Sequence, residues 1–403
     1  MNNNQEQPAQ SSSLYTLVAL CAVGAERVVS NELKKLGLSV ISGGFGSVRF
    51  TADIADTYRS LMALRAADRI LLELARFQAG DFDELFDGVR AVPWENYLPK
   101  DTGLIVSKVR TKQSRLHSET SVQAVAHKAA ATRLCTKYGL ARLNEWGNKA
   151  DIRIYLEKDL VSVLLDLSGE PLFKRGYRLE GGNAPLRETT AAAMLLLSGW
   201  RRKFPLCDPL CGSGTIIIEA ALFAWDAAPG LGRRFALSDL LIADTALEKS
   251  VHEQLLQRVD FSRTIRLYAG DADARAVSIM QSNLARAYDI ASGQRPKTGI
   301  QKLAPSPCLP ACTVCRMEEA VNPTKDRGFI ITNPPYGRRM GDREDAETGY
   351  RNMAVLSRTF CDWHLGVISD HAGFESFFGR GADSCREITN GAAQLYFYQY
   401  EHL

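Results

Sequence analysis

The sequence predicts an α/β fold in which a mostly parallel sheet follows two smaller α+β units. From about residue 182 onward, helical stretches alternate with short apolar runs such as FPLCDPL, TIRLYAG and GFIITN. This alternation is typical of a parallel sheet covered by helices on both faces. Earlier in the chain, residues 14–80 have a β-α-β-β-α-β order, as in a ferredoxin-like unit. Residues 81–168 combine two helices, a strand and a hairpin in a second unit.

The first unit is predicted from hydrophobic periodicity. The strand LYTLVALC precedes the helix AERVVSNELKKLG, in which Val28, Val29 and Leu33 share one stripe before Gly37 ends the helix. A strand pair over LSVISGGFGSVRF, the helix IADTYRSLMALR and the strand DRILLELARF complete the order. Residues 1–13 are polar, with no basic segment leading into an apolar one. We therefore expect a disordered tail there, not a signal peptide.

The second unit carries an excess of positive charge. It contains the helix DFDELFDGVRAV, the strand GLIVSKVRTK, the long helix SETSVQAVAHKAAATRLCTKYG and a hairpin that turns at Lys158-Asp159. Residues 100–149 hold ten Lys and Arg against three Asp and Glu, although the net charge of the whole chain is only +3. Such a stretch suits contacts with phosphates. A solvated helix face would have the same composition, and charge alone does not decide between the two.

Composition limits the class of protein. With 403 residues, of which 45% are apolar and 24% charged, the chain is long enough for two or three globular domains. No apolar run reaches the length of a bilayer-spanning helix, and nine cysteines without a secretory signal favour free thiols in the cytoplasm. Cys312 and Cys315 have the spacing of half a zinc site. Because no second Cys or His pair follows at a suitable distance, we predict no metal site.

Three predicted strands end in residues suited to ligand binding, and ligands bind at this edge of a parallel sheet. The first strand ends in an aspartate and is followed by the glycine loop CGSG and then by a helix. Glycines let the backbone approach a ligand closely, and the helix N-terminus offers free N–H groups. We therefore predict a cofactor-binding turn made of Asp208, Cys211, Gly212, Ser213, Gly214 and Thr215.

The second strand end lies in YAGDADARAV. Asp271 closes this strand, and a carboxylate in that place can accept hydrogen bonds from both hydroxyls of a ribose. Asp273 falls in the same predicted cofactor site. It also has the position of a helix N-cap, and we treat its role as mainly structural.

The third strand end is the segment TNPPYG, which follows the apolar run Phe329-Ile330-Ile331. The side-chain carbonyl of Asn333 and the main-chain carbonyl of Pro334 are two acceptors on a chain that the prolines Pro334 and Pro335 stiffen. Together they can hold both hydrogens of a planar NH₂ group, while Tyr336 offers a ring face to a flat base. A plain Pro-Pro turn with an Asx hydrogen bond is the alternative. After a glycine loop and an acidic strand end, the base-binding interpretation is favoured.

These motifs resemble the class I S-adenosylmethionine-dependent methyltransferases, in the branch with an N/D-P-P-Y/F motif for exocyclic amines. The segments LFKRGYR, APLRETTAAAMLLL, DPLCGSGTIIIEAAL, NPPYG and REITNGAA together are similar to the THUMP-domain RNA methyltransferases, including the bacterial 23S rRNA guanine-N2 enzymes. The resemblance extends over nearly the whole chain after the tail.

The resemblance implies a division of the chain and a cofactor. We expect a ferredoxin-like region over residues 14–80, a THUMP RNA-binding domain over 81–168 and a Rossmann-like methyltransferase domain over 169–403. S-adenosyl-L-methionine is the implied cofactor, and Asn333, Pro334, Pro335 and Tyr336 are the implied base-binding residues. The family usually has an acidic residue after the third strand. Here CRMEEA has Met317 at or next to that place, and we assign the role to Glu318.

An RNA partner is expected from the resemblance and the basic unit, with 23S rRNA ahead of tRNA. The expected RNA contacts are Lys108, Arg110, Lys112 and Arg115 in the second unit and Lys174, Arg175 and Arg178 in FKRGYR. A charged interdomain linker is the alternative for FKRGYR. Methylation of an adenine or another amine, and a non-catalytic RNA-binding factor, are the competing functions.

Overall fold

Hydrogen bonds between strands join the chain into two sheets of seven strands each in the part that the structure describes. The structure is a computed structural model, and it describes residues 13–144, 146–178, 186–299, 301–336 and 342–403. The predicted tail over residues 1–13 therefore lies outside the described residues except for its last position. Gly337 of the TNPPYG segment also lies outside them.

The first sheet has the strand order β2-β3-β1-β4-β7-β6-β5. Its strands are β1 (Tyr15–Cys21), β2 (Ser39–Gly44), β3 (Ser47–Ala52), β4 (Ala67–Gln78), β5 (Gly103–Lys112), β6 (Lys149–Glu157) and β7 (Leu160–Asp166). The helices of this half are α1 (Glu26–Lys35), α2 (Ile54–Ala63), α3 (Phe82–Ala91) and α4 (Glu119–Tyr138). The chain order β1-α1-β2-β3-α2-β4 is the one that the sequence predicts for the first unit.

The two predicted α+β units share this sheet. Strand β4 pairs antiparallel with β7, from Leu71 opposite Asp166 to Gln78 opposite Leu160. The hydrogen-bonded ladder thus crosses the expected boundary at residue 80, and the placing of a domain boundary there stays a prediction. At the far side, β5 pairs only with β6 among the described strands, so it is an edge strand.

The second sheet has the order β10-β9-β8-β11-β12-β14-β13. Its strands are β8 (Leu206–Asp208), β9 (Leu267–Asp271), β10 (Ala311–Val314), β11 (Phe329–Thr332), β12 (His364–Ser369), β13 (Ser384–Asn390) and β14 (Ala393–Tyr400). Strands β8 to β12 pair in parallel, and β14 runs antiparallel to β12. The helices are α5 (Glu188–Leu197), α6 (Thr215–Ala224), α7 (Thr245–Gln257), α8 (Ala274–Ala291), α9 (Asp342–Asn352), α10 (Val355–Thr359) and α11 (Phe374–Phe378).

The order of the second sheet positions the site. Successive strands run outward in one direction from β8 to β10 and in the other from β11 to β12, so the order reverses between β8 and β11. In open α/β sheets, ligands bind in the crevice at the carboxyl ends of the strands at such a reversal. Asp208 ends β8, and Asn333 follows β11 directly. The fold thereby brings two of the predicted strand ends to one crevice.

The second sheet ends in an antiparallel hairpin. Strands β13 and β14 pair antiparallel up to Asn390 opposite Ala393, and Gly391 takes a positive φ of 67° in the turn. In the described part of the chain, no helix has the length and apolar character that crossing a membrane would need.

The two sheets are joined by close packing. The segment between α6 and β9 contacts helix α2, where Gly230 N–H donates to the Met62 carbonyl at 2.8 Å. A Cβ at Gly230 would come within 2.7 Å of the Met62 Cα, so only glycine allows this approach. One continuous cluster of buried apolar residues includes Leu17 of the first sheet and Ile217 of helix α6.

Candidate active site

A buried hydrogen bond joins the two strands at the reversal point. The hydroxyl of Thr332, the last residue of β11, donates to Asp208 Oδ1 at 2.7 Å, and the Leu210 N–H approaches the same oxygen at 3.3 Å. Asp208 is 1% exposed, and burial raises the pKa of its carboxyl to about 7 despite these donors. The negative charge of Asp271 raises that pKa further. The carboxyl of Asp208 therefore titrates close to neutral pH.

The glycine turn has the open backbone that a cofactor cradle requires. Gly212 and Gly214 have positive φ values of 50° and 86°. A Cβ at Gly212 would meet no atom within 4 Å, whereas one at Gly214 would lie 2.1 Å from the Met280 Cγ. Gly212 thus leaves room for a ligand beside the turn, and Gly214 allows helix α8 to pack against it. The residues present fit a cofactor held at this turn.

Asp271 braces the turn from the neighbouring strand. Its Oδ2 accepts from the Gly212 N–H at 2.9 Å, and its Oδ1 accepts from the Asp273 N–H at 2.9 Å. A carboxylate has about four lone-pair sites, so Asp271 keeps acceptor capacity for a ligand. Asp273 accepts from the Arg275 N–H at 2.8 Å as the N-cap of α8, which is the structural role expected for it. Its predicted part in cofactor binding stays untested.

Two cavities meet at the crevice. The smaller, of about 110 Å³, is lined by Leu186, Asp208, Leu210, Cys211, Gly212, Ser213, Thr215, Ile216 and Asn333. The larger, of about 620 Å³, is lined by Leu210, Ala272, Arg316, Met317, Glu318, Pro334, Pro335, Tyr336 and residues of α9. Leu210 borders both. Asn333 thus faces the same cavity as the glycine turn, while the rest of the corner faces the adjoining one.

The NPPY corner is held by hydrogen bonds of its own. The Tyr336 hydroxyl donates to Asn333 Oδ1, which occupies the acceptor that the sequence analysis assigned to a base amine. From α9, the hydroxyl of Tyr350 lies 3.5 Å from the Pro335 carbonyl oxygen and 3.1 Å from the Ser369 Oγ. Tyr350 is fully buried, so it fixes the corner against the end of β12.

Helix α9 contributes to the site two residues, Tyr350 and Asn352, that were not predicted from the sequence. Asn352 Nδ2 donates to Glu318 Oε1 at 3.1 Å, and Met317 is buried beside Glu318 in a short 3-10 turn. Helix α9 therefore contacts both the assigned acidic residue and the corner. Its sequence, DREDAETGYRN, is mostly polar, so Tyr350 offered no signal beyond its position after NPPYG.

The expected RNA contacts of the second unit lie on its surface. Lys108 and Arg110 are exposed on the edge strand β5. Lys112 Nζ pairs with Glu157 at 2.9 Å, and Arg115 Nε pairs with Asp159 at 2.9 Å. These pairs lie in solvent, where such interactions contribute little to stability.

The structure does not support the predicted RNA contacts of Arg175 and Arg178, because both side chains have partners inside the protein. Arg175 is 2% exposed, lies 3.4 Å from Glu219 Oε1, and donates to the main-chain carbonyls of Leu172 and Arg65. It thus ties helix α6 to the first sheet's half of the protein.

Arg178 contacts the last residue of the cofactor turn, Thr215. Its Nη2 donates to Thr215 Oγ1 at 2.6 Å and to the Leu186 carbonyl at 3.2 Å, and its Nε lies 3.2 Å from Glu188 Oε1. Burial raises the pKa of Glu188 to about 7, although Arg178 lowers it. Lys174 alone of the three is exposed, and it pairs with Glu170.

Cys312, one of the two cysteines considered as metal ligands, lies beside a methionine. Cys312 Sγ lies 3.7 Å from the Met280 Sδ, and the thiols of Cys207 and Cys211 are buried. Within the described ranges, no three His, Cys, Asp or Glu side chains are grouped so that they could hold a metal ion.

Family models match most of the chain. Residues 175–303 and 311–399 match the model described as an RMKL-like methyltransferase domain, and residues 16–71 match the RlmL ferredoxin-like domain. The chain belongs to the RMKL-like methyltransferase family. Its methyltransferase domain is Rossmann-like, and the ferredoxin-like prediction for its N-terminal region is confirmed. The THUMP assignment of residues 81–168 stays a prediction.

Relatives of this methyltransferase family differ in length. The chain is 32% identical over 388 residues to "Putative RNA methyltransferase YpsC" of Bacillus subtilis (strain 168), covering 96% of each chain. It is 31% identical over 393 residues to "Ribosomal RNA large subunit methyltransferase K/L" of Aeromonas hydrophila subsp. hydrophila, covering 95% of this chain and 54% of that protein. The chain thus spans about half the length of the K/L relatives it matches.

Solved structures agree with the fold. The chain has a TM-score of 0.83 and 34% identity to SMU.472, a putative methyltransferase complexed with SAH, over 97% of this chain and 98% of that one. A possible methylase from Clostridium difficile 630 gives 0.86 and 31% identity over 97% and 99% of the two chains. TrmN from Thermus thermophilus, at 18% identity and a TM-score of 0.65, has the same fold.

Proposed function

We propose that this methyltransferase transfers a methyl group to an exocyclic amine of an RNA base, and that the amine is N2 of a guanine in 23S rRNA. One observation carries the proposal: Asn333 and the glycine turn at Gly212 line the same cavity at the reversal point of the sheet. A base amine held by the corner would therefore lie beside whatever the turn holds. The proposal needs this proximity, because transfer requires two groups in fixed mutual geometry.

S-adenosyl-L-methionine is the methyl donor, and it supplies an electrophilic methyl group on a sulfonium sulfur. The residues proposed to hold it are those of the turn from Cys211 to Thr215, with Asp208 beneath the turn. Asp271 is proposed for its ribose, and Glu318 for its adenine amine. The open space beside Gly212 and the spare acceptor capacity of Asp271 support this assignment.

The chain's own part in the reaction is to hold and orient the base. Asn333 Oδ1 and the Pro334 carbonyl accept from the two N–H groups of the amine, so its lone pair is less delocalised into the ring. Tyr336 stacks on the base, and its hydroxyl competes with the amine for Asn333 Oδ1. The methylated amine is a cation that loses its proton readily, so the corner needs no strong base.

RNA is favoured over DNA by the relatives, whose names include RNA and ribosomal RNA methyltransferases. The exposed cations Lys108 and Arg110 on β5 of the proposed THUMP domain support phosphate contacts. A base inside a duplex cannot reach a cavity of this kind, so the target must be unpaired or flipped out. The K/L names favour 23S rRNA over tRNA as the substrate.

The test is methyl transfer from tritiated S-adenosyl-L-methionine to total RNA isolated from a strain that lacks this protein, followed by separation of the RNA classes and mass spectrometry of their nucleosides. We expect label in 23S rRNA as N2-methylguanosine. Asn333→Ala should abolish transfer while keeping cofactor affinity, and Asn322→Ala, in a surface loop that lines neither cavity, should transfer normally. Label in an adenine or in tRNA would overturn the proposed substrate. No label in any RNA would overturn the proposed methyl transfer to RNA.

A further inference from the structure

A groove on the second α+β unit lies apart from the site described above. Two adjoining cavities of about 480 and 660 Å³ form it, and both are lined by the segment 140–144 that follows helix α4. We call it the Arg142 groove, and the side chains that define it are Lys100, Lys128, Arg142, Asn144, Trp146 and Lys149. None of them was a predicted RNA contact.

The Arg142 groove is strongly cationic. Lys100, Lys128, Arg142 and Lys149 are all exposed, and Asp101 is the acidic residue in the lining. Several other cations of this unit do have acidic partners, as Lys112 has Glu157 and Arg133 has Glu95. The four groove cations form no ion pair with any carboxylate that the structure describes, a set that leaves out Glu145. Such a concentration of positive charge attracts a polyanion.

The groove also presents an aromatic ring. Trp146 is 83% exposed, whereas Trp94, Trp225 and Trp363 are fully buried. The main-chain N–H of Trp146 donates to Asn144 Oδ1 at 3.0 Å, and Asn144 Nδ2 donates to the main-chain carbonyl of Asp101 at 3.3 Å. The loop that carries the ring is therefore tied to the other wall of the groove.

Cations beside an exposed aromatic ring fit one class of ligand. Proteins bind single-stranded nucleic acid by stacking bases on aromatic rings while Lys and Arg contact the phosphates. An A-form duplex would offer the groove its phosphates, but no base face for Trp146 to stack on. An acidic peptide would satisfy the charges and leave the ring unexplained.

We propose that the Arg142 groove binds an unpaired RNA segment, with Trp146 stacked on a base and Lys100, Arg142 and Lys149 on the phosphates. The proposal rests on RNA being the substrate, and it names a second place where that RNA is held. Strand β5 begins at this groove, since Leu104 lines it. At about 3.3 Å per residue, Lys108 lies roughly 13 Å further along the edge strand, so the phosphate path continues toward the predicted contacts.

The experiment measures binding of a fluorescein-labelled ten-nucleotide single-stranded RNA to the full chain by anisotropy, at several salt concentrations. Trp146→Ala should weaken binding by about 5- to 100-fold. Lys100→Ala with Arg142→Ala should reduce the slope of log K against log salt by about 1.4, which corresponds to two lost phosphate contacts. The control is Lys249→Ala with Arg358→Ala, which removes the same charge from α7 and α10 and should change neither quantity.

The outcomes separate this proposal from the proposed function. If the groove variants bind the oligonucleotide like the control, or if a duplex or an acidic peptide binds more tightly than the single strand, the groove proposal is overturned. Cofactor affinity should be unchanged in every variant. A variant that loses cofactor affinity together with RNA binding is misfolded, and this result would overturn the assignment of RNA binding to the groove. If transfer to guanine is never observed but the groove variants still lose single-stranded RNA, the groove stands and the proposed function falls.

Discussion

The hydroxyl of Thr332 donates a hydrogen bond of 2.7 Å to the carboxyl of Asp208, and both residues are buried. Thr332 ends β11 immediately before Asn333, and Asp208 ends β8 just before the cofactor turn. The bond therefore fixes the spacing between the two halves of the proposed active site. It also stabilises a carboxyl group that burial would otherwise make still more costly to ionise.

Replacement of Thr332 by Val should remove the hydrogen bond between the ends of β11 and β8. The substitution keeps the shape of the side chain and leaves the buried Asp208 Oδ1 with only the longer contact from the Leu210 N–H among the described donors, so we expect the free energy of unfolding to fall by about 1–3 kcal/mol. The affinity for S-adenosyl-L-methionine should fall as well. Thr332→Ser keeps a hydroxyl and should retain most of the affinity. Chemical denaturation and calorimetric titration would measure both effects, and equal losses in the Val and Ser variants would contradict the role of the hydroxyl.

The raised pKa of Asp208 predicts how stability depends on pH. The ordinary pKa of 3.8 applies to the unfolded chain and a pKa of about 7 to the ligand-free folded protein. Between these values the folded state binds a proton that the unfolded state has released, so stability falls as pH rises through this window. The total for this one group is at most about 4 kcal/mol. Asp208→Asn should be less sensitive to pH across the same window.

Glu188 provides the comparison for that experiment. Burial also raises its pKa to about 7, so the Asn variant at position 208 should keep part of the pH dependence. Denaturation by urea at pH 5, 6, 7 and 8, without cofactor, gives the slopes of stability against pH for both proteins. An unchanged slope in Asp208→Asn would show that Asp208 is ionised in the folded state at pH 5.

The two glycines of the turn should respond differently to alanine. Gly212→Ala meets no neighbour and carries only the strain of a left-handed backbone, about 1–2 kcal/mol, but its methyl group fills the space beside the turn. We expect a folded protein with at least a tenfold loss of cofactor affinity. Gly214→Ala would force its methyl group into Met280, so its stability should fall by about 2–5 kcal/mol. Thermal unfolding with and without S-adenosylhomocysteine would distinguish the two.

The strand ends could be predicted from the sequence because each is a local pattern. Asp208, Gly212 and Gly214 lie within seven residues, and NPPY follows an apolar run directly. Parallel strands then bring such ends together whatever the loops between them do. The pairing of β4 with β7 could not be predicted in this way, since the paired residues Leu71 and Asp166 lie 95 residues apart in the chain.

The burial of a charged side chain could not be predicted from the sequence either. Arg175 and Arg178 belong to a basic hexapeptide, and a sequence shows their charge without their partners. Glu219, which faces Arg175, lies on helix α6, and Glu188, which faces Arg178, begins helix α5. Each ion pair forms only in the tertiary structure, because its two residues lie on different segments of the chain. The composition of the hexapeptide therefore favoured an RNA contact, whereas the fold has an internal ion pair.

Arg175 and its neighbour Lys174 form a matched pair for testing this correction. Arg175→Met leaves Glu219 buried, with the Tyr177 hydroxyl as its remaining donor among the described residues, so we expect a loss of about 3–5 kcal/mol in stability. The double variant with Glu219→Gln should recover at least half of that loss. Lys174→Ala, at an exposed position, should stay within about 0.5 kcal/mol. If RNA affinity per folded molecule fell in Arg175→Met as it does in a groove variant, the guanidinium would have to contact RNA after all.

The hydroxyl of Tyr336 should compete with the substrate for Asn333. Because that hydroxyl occupies Asn333 Oδ1, Tyr336→Phe frees the acceptor and keeps the ring, and we expect KM for RNA to fall by up to about fivefold with kcat preserved. Tyr336→Ala removes the ring as well, and loss of stacking should lower kcat/KM by about 5- to 100-fold. Steady-state methyl transfer to rRNA from the deletion strain measures both parameters, and cofactor affinity serves as the control for folding. Should the Phe variant lose as much activity as the Ala variant, the hydroxyl would be needed during transfer, and its bond to Asn333 would be part of the reactive arrangement, not a resting contact that the base displaces.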